Sequence, residues 1–236
     1  MLIPSCSIII PVYNEPNIKN TLLELINAFH KKNIEFEIIV IVDSTPNDNT
    51  DEIVKNLTLQ HKEIKSIIRK GKKGVADAIK VGIKNSIKET TLVVMADGSE
   101  RPDNLIKLIS KMSKDYDMVF ANRFAKQSKR KSYPIKKLIA NRVCNFIIRL
   151  FFNFRSQDIT NGVKVYRTKI LKDLVLDSHG FEIFVELPLK LFLNGYKNFT
   201  EVTFSHDAGD IKYSNFSLTK EAPRYLKIVV KCYFQQ

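Results

Sequence analysis

The chain has 236 residues, 44% of them hydrophobic, a formal charge of +13 and three cysteines. That length and apolar content suit one α/β domain with a modest extension. The excess of Lys and Arg points to anionic partners: phosphates, an acidic membrane surface or nucleic acid. The scattered Cys6, Cys144 and Cys232 exclude a disulfide framework or a metal knuckle and fit a reducing cytoplasm.

No stretch reaches the roughly 18 apolar residues that would span a bilayer. Met1-Leu2-Ile3-Pro4 runs straight into the first strand without a basic leader segment, so no secretory signal is expected. The reading is a soluble or peripheral protein.

In chain order, Ser7–Val12 is an apolar, β-branched run and reads as a buried strand. Tyr13-Asn14-Glu15 follows at once. A helix begins near Pro16, with Ile18, Leu22, Leu25, Ile26 and Phe29 on one face. Glu37–Val42 is a second strand and runs into Asp43. A helix follows from about Asn49 to Leu59, then a strand at Ile64–Ile68. Arg69-Lys70-Gly71-Lys72-Lys73-Gly74 opens a helix that carries Val75, Ala78, Ile79 and Ile83 inward. Glycine and lysine at a helix N-terminus suit phosphate, although the spacing is not that of a P-loop. Leu92–Ala96 is a strand that meets Asp97-Gly98-Ser99, Pro102 starts the next helix, and Met118–Ala121 is a fifth strand.

Strands alternating with helices imply a mostly parallel central sheet flanked by helices. Ligands of such sheets bind outside the carboxyl ends of the strands. Glu15, Asp43 and Asp97 all follow strand ends, so the three acids are expected to converge on one site. Convergent acids in a basic protein hold a divalent metal or read the polar edges of a ligand.

Residues 118–157 contain no acid and ten basic residues. Within them, residues 134–154 keep helical spacing at Ile135, Leu138, Ile139, Val143, Phe146, Ile147, Leu150, Phe151 and Phe154, with Lys136, Lys137, Asn141 and Arg149 between. This basic amphipathic helix is expected to pack part of its apolar face on the domain and to present charge to an anionic surface. A helix at Glu182–Asn194, a strand at Lys197–Phe204 and a helical tail at Thr219–Phe234 follow; residues 207–217 read as a mobile loop. The histidines lack metal-ligand spacing, and His206 beside Asp207 reads as a loop residue. There is no GxSxG elbow for a serine nucleophile.

The order Pro11-Val12-Tyr13-Asn14-Glu15, then Asp43 with Asp48, Gly71–Ala78, Asp97-Gly98-Ser99, Asn122-Arg123-Phe124, Asp158–Gly162, Gly180–Glu186 and Gly195-Tyr196 before Glu201-Val202 resembles family 2 glycosyltransferases of the GT-A fold. The nearest branch is that of the dolichyl- or polyprenyl-phosphate sugar transferases. The resemblance implies a Rossmann-like single domain in three parts: residues 1–121 for the nucleotide-sugar, 122–217 for the acceptor, and 218–236 as a helical tail. It implies that Pro11, Tyr13, Glu15 and Asp43 hold the base and ribose of a nucleotide-sugar, with Lys73 nearby and Lys212 on the diphosphate. Asp97 and Ser99 would bind Mg²⁺ or Mn²⁺, with Asp97 and Arg123 carrying the catalysis. Arg123 and Lys136 would meet the phosphate of a lipid acceptor at the cytoplasmic membrane face, where a membrane protein can present it.

The chain departs from the family pattern at several places. Met95 stands where the first Asp of an Asp-x-Asp pair is usual, Ser44 follows Asp43, Ala140 replaces a serine, and Gly209 and Asn215 replace a C-terminal Arg and Lys. Two other functions compete. One is a related transferase acting on a sugar hydroxyl, with Asp158 or Glu186 as general base. The other is a degenerate fold that binds nucleic acid or membrane; no nucleic-acid module signature is present, which disfavours nucleic acid.

Overall fold

The computed structural model describes residues 3–43, 49–69, 74–112, 115–125, 135–204 and 218–235, without the side chains of Lys136, Lys137 and Leu218. Lys73, Lys212, Asp48, His206, Asp207 and the expected loop 207–217 lie outside these residues.

The strands are β1 (Cys6–Val12), β2 (Phe36–Asp43), β3 (Ile64–Arg69), β4 (Thr90–Val93), β5 (Met118–Asn122), β6 (Lys164–Arg167) and β7 (Phe199–Thr203). The helices are α1 (Ile18–Lys31), α2 (Thr50–Gln60), α3 (Val75–Asn85), α4 (Pro102–Ser110), α5 (Ile135–Phe152), α6 (Thr168–Lys172), α7 (Ile183–Leu193) and α8 (Leu218–Tyr233). One seven-stranded sheet runs β3-β2-β1-β4-β6-β5-β7, and only β6 is antiparallel to its neighbours.

Alternation along the strands builds two cores. Ile8, Ile10, Val12, Ile38, Val40 and Val42 point to the face covered by α1, α2 and α4. Ile9, Ile39 and Ile41 point to the face covered by α3, α6 and α7, with the inner sides of α5 and α8. Both faces are buried, which is why the strands read as continuous apolar runs rather than alternating ones. Gly82 lets α3 lie directly on β1, because a Cβ there would collide with the Ile9 side chain.

Two details differ from the sequence reading. The fourth strand begins at Thr90 and ends at Val93, ahead of the expected Leu92–Ala96. Thr90 continues the ladder because its N–H and hydroxyl both donate to Ser5 O. The second concerns α5. Of the apolar residues spaced along it, Ile135, Ile139, Val143, Phe146, Leu150 and Phe151 are exposed. The inward side is formed by Asn145, Ile148 and Phe152. A polar residue anchors this helix: Asn145 accepts the Ile159 N–H at 2.7 Å and donates to Thr160 Oγ1 at 3.1 Å. No helix among the described residues is long and apolar enough to cross a membrane.

Candidate active site

The carboxyl ends of β1, β2 and β4 lie side by side, and the chain order reverses between β1 and β4. This is the switch point at which open α/β sheets bind ligands.

Pro11 is buried within β1, and Tyr13 beyond it is 52% exposed. Asn14 turns the chain with φ of 48°. Glu15 folds back to accept the Asn17 N–H at 3.1 Å, at the start of α1. Asp43 ends β2 opposite Arg69 of β3 in register. Arg69 grips it through Nε and Nη2, each at 2.7 Å, and the Gly74 N–H adds a third bond at 3.1 Å. Asp43 therefore ties the end of β3 to the start of α3. Lys73 immediately precedes this anchor in sequence.

Asp97 is exposed on the loop after β4. Its Oδ1 accepts the Ser99 N–H at 3.1 Å, and Gly98 between them has φ of +69°, a region that favours glycine. Thr21 of α1 ties the loop down by donating to Ala96 O at 2.9 Å. Beneath lies Glu100, 8% exposed, with Oε2 buried and without a partner among the described residues. Burial, and then the charge of Asp97, push its carboxyl up to about 8, against the pull of the Ser99 hydroxyl and the Met95 amide.

Glu15, Asp43 and Asp97 stand at or just past the ends of the neighbouring strands β1, β2 and β4. Among the described residues, no three acidic, His or Cys side chains gather as a metal site. Asp43 is buried on Arg69, Glu15 is half-buried on the Asn17 N–H, and Asp97 is exposed. The residues still suit a hard cation of the Mg²⁺ or Mn²⁺ kind. Such ions are held by one or two carboxylates plus substrate phosphates. Asp97 and Ser99 offer oxygens, and the orphaned Oε2 of Glu100 is a second carboxylate oxygen within electrostatic reach of Asp97.

The second half of the site follows β5. Because β6 is antiparallel to both β4 and β5, these two strands run the same way and end at the same sheet edge. One intervening strand puts them about 10 Å apart, two strand spacings. Arg123, just past β5, is clamped by the fully buried Asp158: Nε at 2.9 Å, Nη2 at 2.8 Å and the backbone N–H at 2.9 Å. Its guanidinium stacks on Phe124, with 5.5 Å to the ring centroid, and Arg142 of α5 stacks on the same ring at 5.3 Å. Two cations thus share one phenyl ring. Lys136 lies on α5 six residues before Arg142 in the chain.

Behind Arg123 the polar groups are knitted together. Asn122 donates to Glu201 Oε2 at 2.6 Å, and Ser156 donates to Glu201 Oε1 at 2.7 Å. Lys164 is fully buried and donates to the carbonyls of Asn161 and Phe184; burial holds its ammonium down to about 7. Glu186 is fully buried and accepts the N–H groups of Asp177 and Ser178 and the Lys190 ammonium. Asp158 and Glu186 are thus both committed internally, and neither is placed as a general base for a sugar hydroxyl. Burial also pushes the thiols up, Cys6 to about 12 and Cys144 and Cys232 to about 11, so none is an activated nucleophile.

Sequence reasoning missed Arg142 and Glu100. Arg142 was one basic residue among ten, and its stacking on Phe124 depends on the path of α5 over the loop. Glu100 sits in a polar turn, where nothing local announces burial.

The family model for Glycosyl transferase family 2 matches residues 7–175. The chain belongs to glycosyl transferase family 2. It is 26% identical over 196 residues to polyprenol monophosphomannose synthase of Mycolicibacterium smegmatis, covering 80% of this chain and 72% of that protein. It is 27% identical over 202 residues to dolichol-phosphate mannosyltransferase of Pyrococcus furiosus, covering 84% of this chain but only 55% of that longer protein. The fold matches glucosyl-3-phosphoglycerate synthase from Mycobacterium tuberculosis in complex with UDP, with TM-score 0.73, 12% identity, and coverage of 98% of this chain and 80% of that one. The same synthase with Mn²⁺, UDP and phosphoglyceric acid matches at TM-score 0.72 and 11% identity, covering 98% and 78%. This family 2 member is a glycosyltransferase with a GT-A fold.

Proposed function

We propose that this glycosyltransferase moves a hexose from a nucleotide-sugar to a polyprenyl phosphate at the cytoplasmic face of a membrane, as a peripheral protein. The observation that carries the reading is the Arg123–Phe124–Arg142 stack, facing the same sheet edge as the Asp97 loop. Guanidinium groups bind phosphate through charge and paired N–H donors. The strands that lead to the loop and the stack, β4 and β5, are about 10 Å apart, two strand spacings.

In this reading Pro11, Tyr13, Glu15 and Asp43 border the base and ribose, with Lys73 and Lys212 assisting. Asp97 and Ser99 hold Mg²⁺ or Mn²⁺. When bound, the ion offsets charge developing on the departing diphosphate. Arg123 and Arg142, with Lys136, orient the acceptor. A phosphate oxygen attacks the anomeric carbon, the bond from that carbon to the diphosphate oxygen breaks, and the nucleoside diphosphate leaves. The acceptor oxygen is already anionic, so no base has to remove a proton. This agrees with the internal commitment of Asp158 and Glu186. The names of the mycobacterial and archaeal relatives support the lipid-phosphate acceptor, and the Mn²⁺ and UDP complexes of the structural neighbour support the donor and the ion.

The test is thermal shift against UDP- and GDP-sugars with and without Mn²⁺, followed by transfer to polyprenyl phosphate. A ligand at 100 times its dissociation constant stabilises by about 2.7 kcal/mol, a shift of several degrees. One nucleotide-sugar should stabilise the wild type only with the ion. Asp97→Ala should lose that shift and roughly 10²–10³ of the transfer rate. Equal shifts in both proteins, or none with any donor, would sink the reading.

A further inference from the structure

Six buried side-chain atoms lack a hydrogen-bond partner among the described residues, and three of them belong to Ser178, Glu182 and Glu221. The unmade bonds are therefore concentrated on the segment that leads into α7 and on the helix packed against it. Glu182 and Glu221 are 5% and 7% exposed. One oxygen of each is engaged: Glu182 Oε1 accepts the His179 and Gly180 N–H groups at 2.8 and 3.0 Å, and Glu221 Oε1 accepts Arg224 Nη1 at 3.2 Å. The Oε2 atom of each is left unfilled. A buried acceptor left in this way destabilises a fold unless a donor comes to it.

The two unfilled oxygens face one space. A Cβ added to Gly180 would stand 2.8 Å from Glu182 Oε2, 3.1 Å from Glu221 Oε2 and 2.7 Å from Arg224 Nη1. Glycine at 180 thus lets carboxylates from the start of α7 and from α8 converge. The neighbour that can move is Arg224, whose side chain is 53% exposed and holds Glu221 at its far end.

This space adjoins the candidate active site on two sides. On the donor side, Lys80 of α3 donates to Ser178 O, and His179 O closes over Gly74, whose N–H holds Asp43. On the acceptor side, Tyr225 of α8 donates to Phe181 O at 2.9 Å. Burial pushes the Tyr225 phenol well up; Cys144, Glu221 and Glu182 add to this, and the charge of Arg123 opposes it. Glu182, Glu221 and Arg123 therefore lie within electrostatic reach of one hydroxyl. The carboxylate pair stands between the Asp43–Gly74 anchor and Arg123.

The chemistry of the gap names its ligand. Two carboxylates against one guanidinium repel a phosphate, and an apolar group would leave both oxygens unfilled. Hydroxyl groups fill them with charge-assisted hydrogen bonds. The polyol of this reaction is the hexose itself. We propose that Glu182 and Glu221 accept hydrogen bonds from hydroxyl groups of the transferred hexose, with Arg224 swinging aside to admit it. The pair then selects the hexose, because a site built to bind a hydroxyl rejects a sugar that lacks it. The proposal rests on the nucleotide-sugar reading of the site, and the experiment separates the two.

The experiment is calorimetric titration of the full chain, with Mn²⁺ present, using UDP and UDP-glucose and then GDP and GDP-mannose. The ratio of nucleotide-sugar affinity to diphosphate affinity isolates the hexose. Glu182→Gln and Glu221→Gln should each lower that ratio about tenfold and bind the diphosphate as wild type does. Without ligand, each should melt no lower than wild type, since each removes a buried carboxylate with an unfilled oxygen. Donors lacking one hydroxyl complete a double-mutant cycle. At one ring position the loss of the hydroxyl should cost wild type about tenfold and cost the matching variant nothing. The proposal is overturned if the ratio is unchanged in both variants, or if they lose diphosphate and nucleotide-sugar binding equally. It is also overturned if Mn²⁺ alone binds wild type and is lost from either variant, which would make the pair a metal site. Wild type that binds neither UDP nor GDP would remove the nucleotide-sugar reading, and this proposal with it.

Discussion

Each half of this sheet buries an ionisable group whose charged form burial disfavours, and the two are treated differently. In the donor half, Glu100 lies under the Asp97 loop with a carboxylate oxygen that has no partner among the described residues. In the acceptor half, Lys164 lies inside β6 with its ammonium on two carbonyls and 5.7 Å from the Phe120 ring centroid. Burial pushes the acid up and the base down, each toward its neutral form. A buried polar group with its hydrogen bonds made is a structural part, whereas one left unmade is destabilising unless something else comes to it. Around Arg123 the acceptor half thus has its hydrogen bonds made, although Glu182 and Glu221 elsewhere in it also bury an oxygen without a partner among the described residues, and the donor half buries such an oxygen next to the exposed Asp97 loop.

The most forceful way to break this comparison is Asp158→Ala. It removes the carboxylate that clamps Arg123 at 2.8–2.9 Å and leaves a largely buried guanidinium without its main partner. Breaking a buried pair in this way destabilises by about 3–5 kcal/mol. Chemical denaturation should read that loss directly. A loss below about 1 kcal/mol, the range of an exposed pair, would mean that the bonds around Arg123 do not form a rigid scaffold.

Lys164 offers a test through pH. Its folded value, about 7, lies below the ordinary 10.5. Between those values the unfolded chain takes up a proton that the folded chain refuses. The contribution of Lys164 is therefore full above about pH 10.5 and is lost as pH falls toward 7, with a slope of about 1.4 kcal/mol per pH unit. Denaturation of wild type and Lys164→Met at pH 7 and pH 9 checks this. The difference between the two proteins should shift in favour of wild type as pH rises. Parallel behaviour would show that the ammonium stays charged in the fold.

Glu100→Gln sharpens the other side. If Glu100 supports the ion at Asp97, Mn²⁺ affinity in the presence of nucleotide, read by the loss of the free-ion resonance signal, should fall about tenfold, the lower range for a supporting residue of a metal site. Unchanged affinity would make Glu100 a purely structural buried acid.

Much of the donor half was legible because its signals are local. Apolar runs, the polar residues that end them, and Pro102 at a helix start set each element within a few residues. The acceptor half was less legible because its determinants are long-range. β6 is four residues long and carries Lys164, which reads as polar although it is buried by partners 3 and 20 residues away. The apolar spacing of α5 was visible, but not that Asn145 would turn inward and leave the stripe outside. The Arg69–Asp43 and Arg123–Asp158 pairs span 26 and 35 residues, and neither pairing is encoded in any short motif.

The smallest effect concerns Gly98, where local geometry alone makes a definite claim. Its φ of +69° is one that side chains with a Cβ rarely adopt, and a Cβ there would sit 3.1 Å from Thr21 Oγ1. Gly98→Ala should destabilise by about 1–2 kcal/mol from the backbone term, lowering the melting temperature by several degrees in a chain of this size. Gly98→Asn carries the same Cβ but tolerates the left-handed region better. If Asn recovers most of the loss, the backbone angle sets the penalty and the Asp97 loop keeps its shape. If Asn and Ala melt together, the contact with Thr21 dominates. The hydroxyl that ties α1 to Ala96 O is then the part displaced, and nucleotide-dependent stabilisation should fall in both variants together.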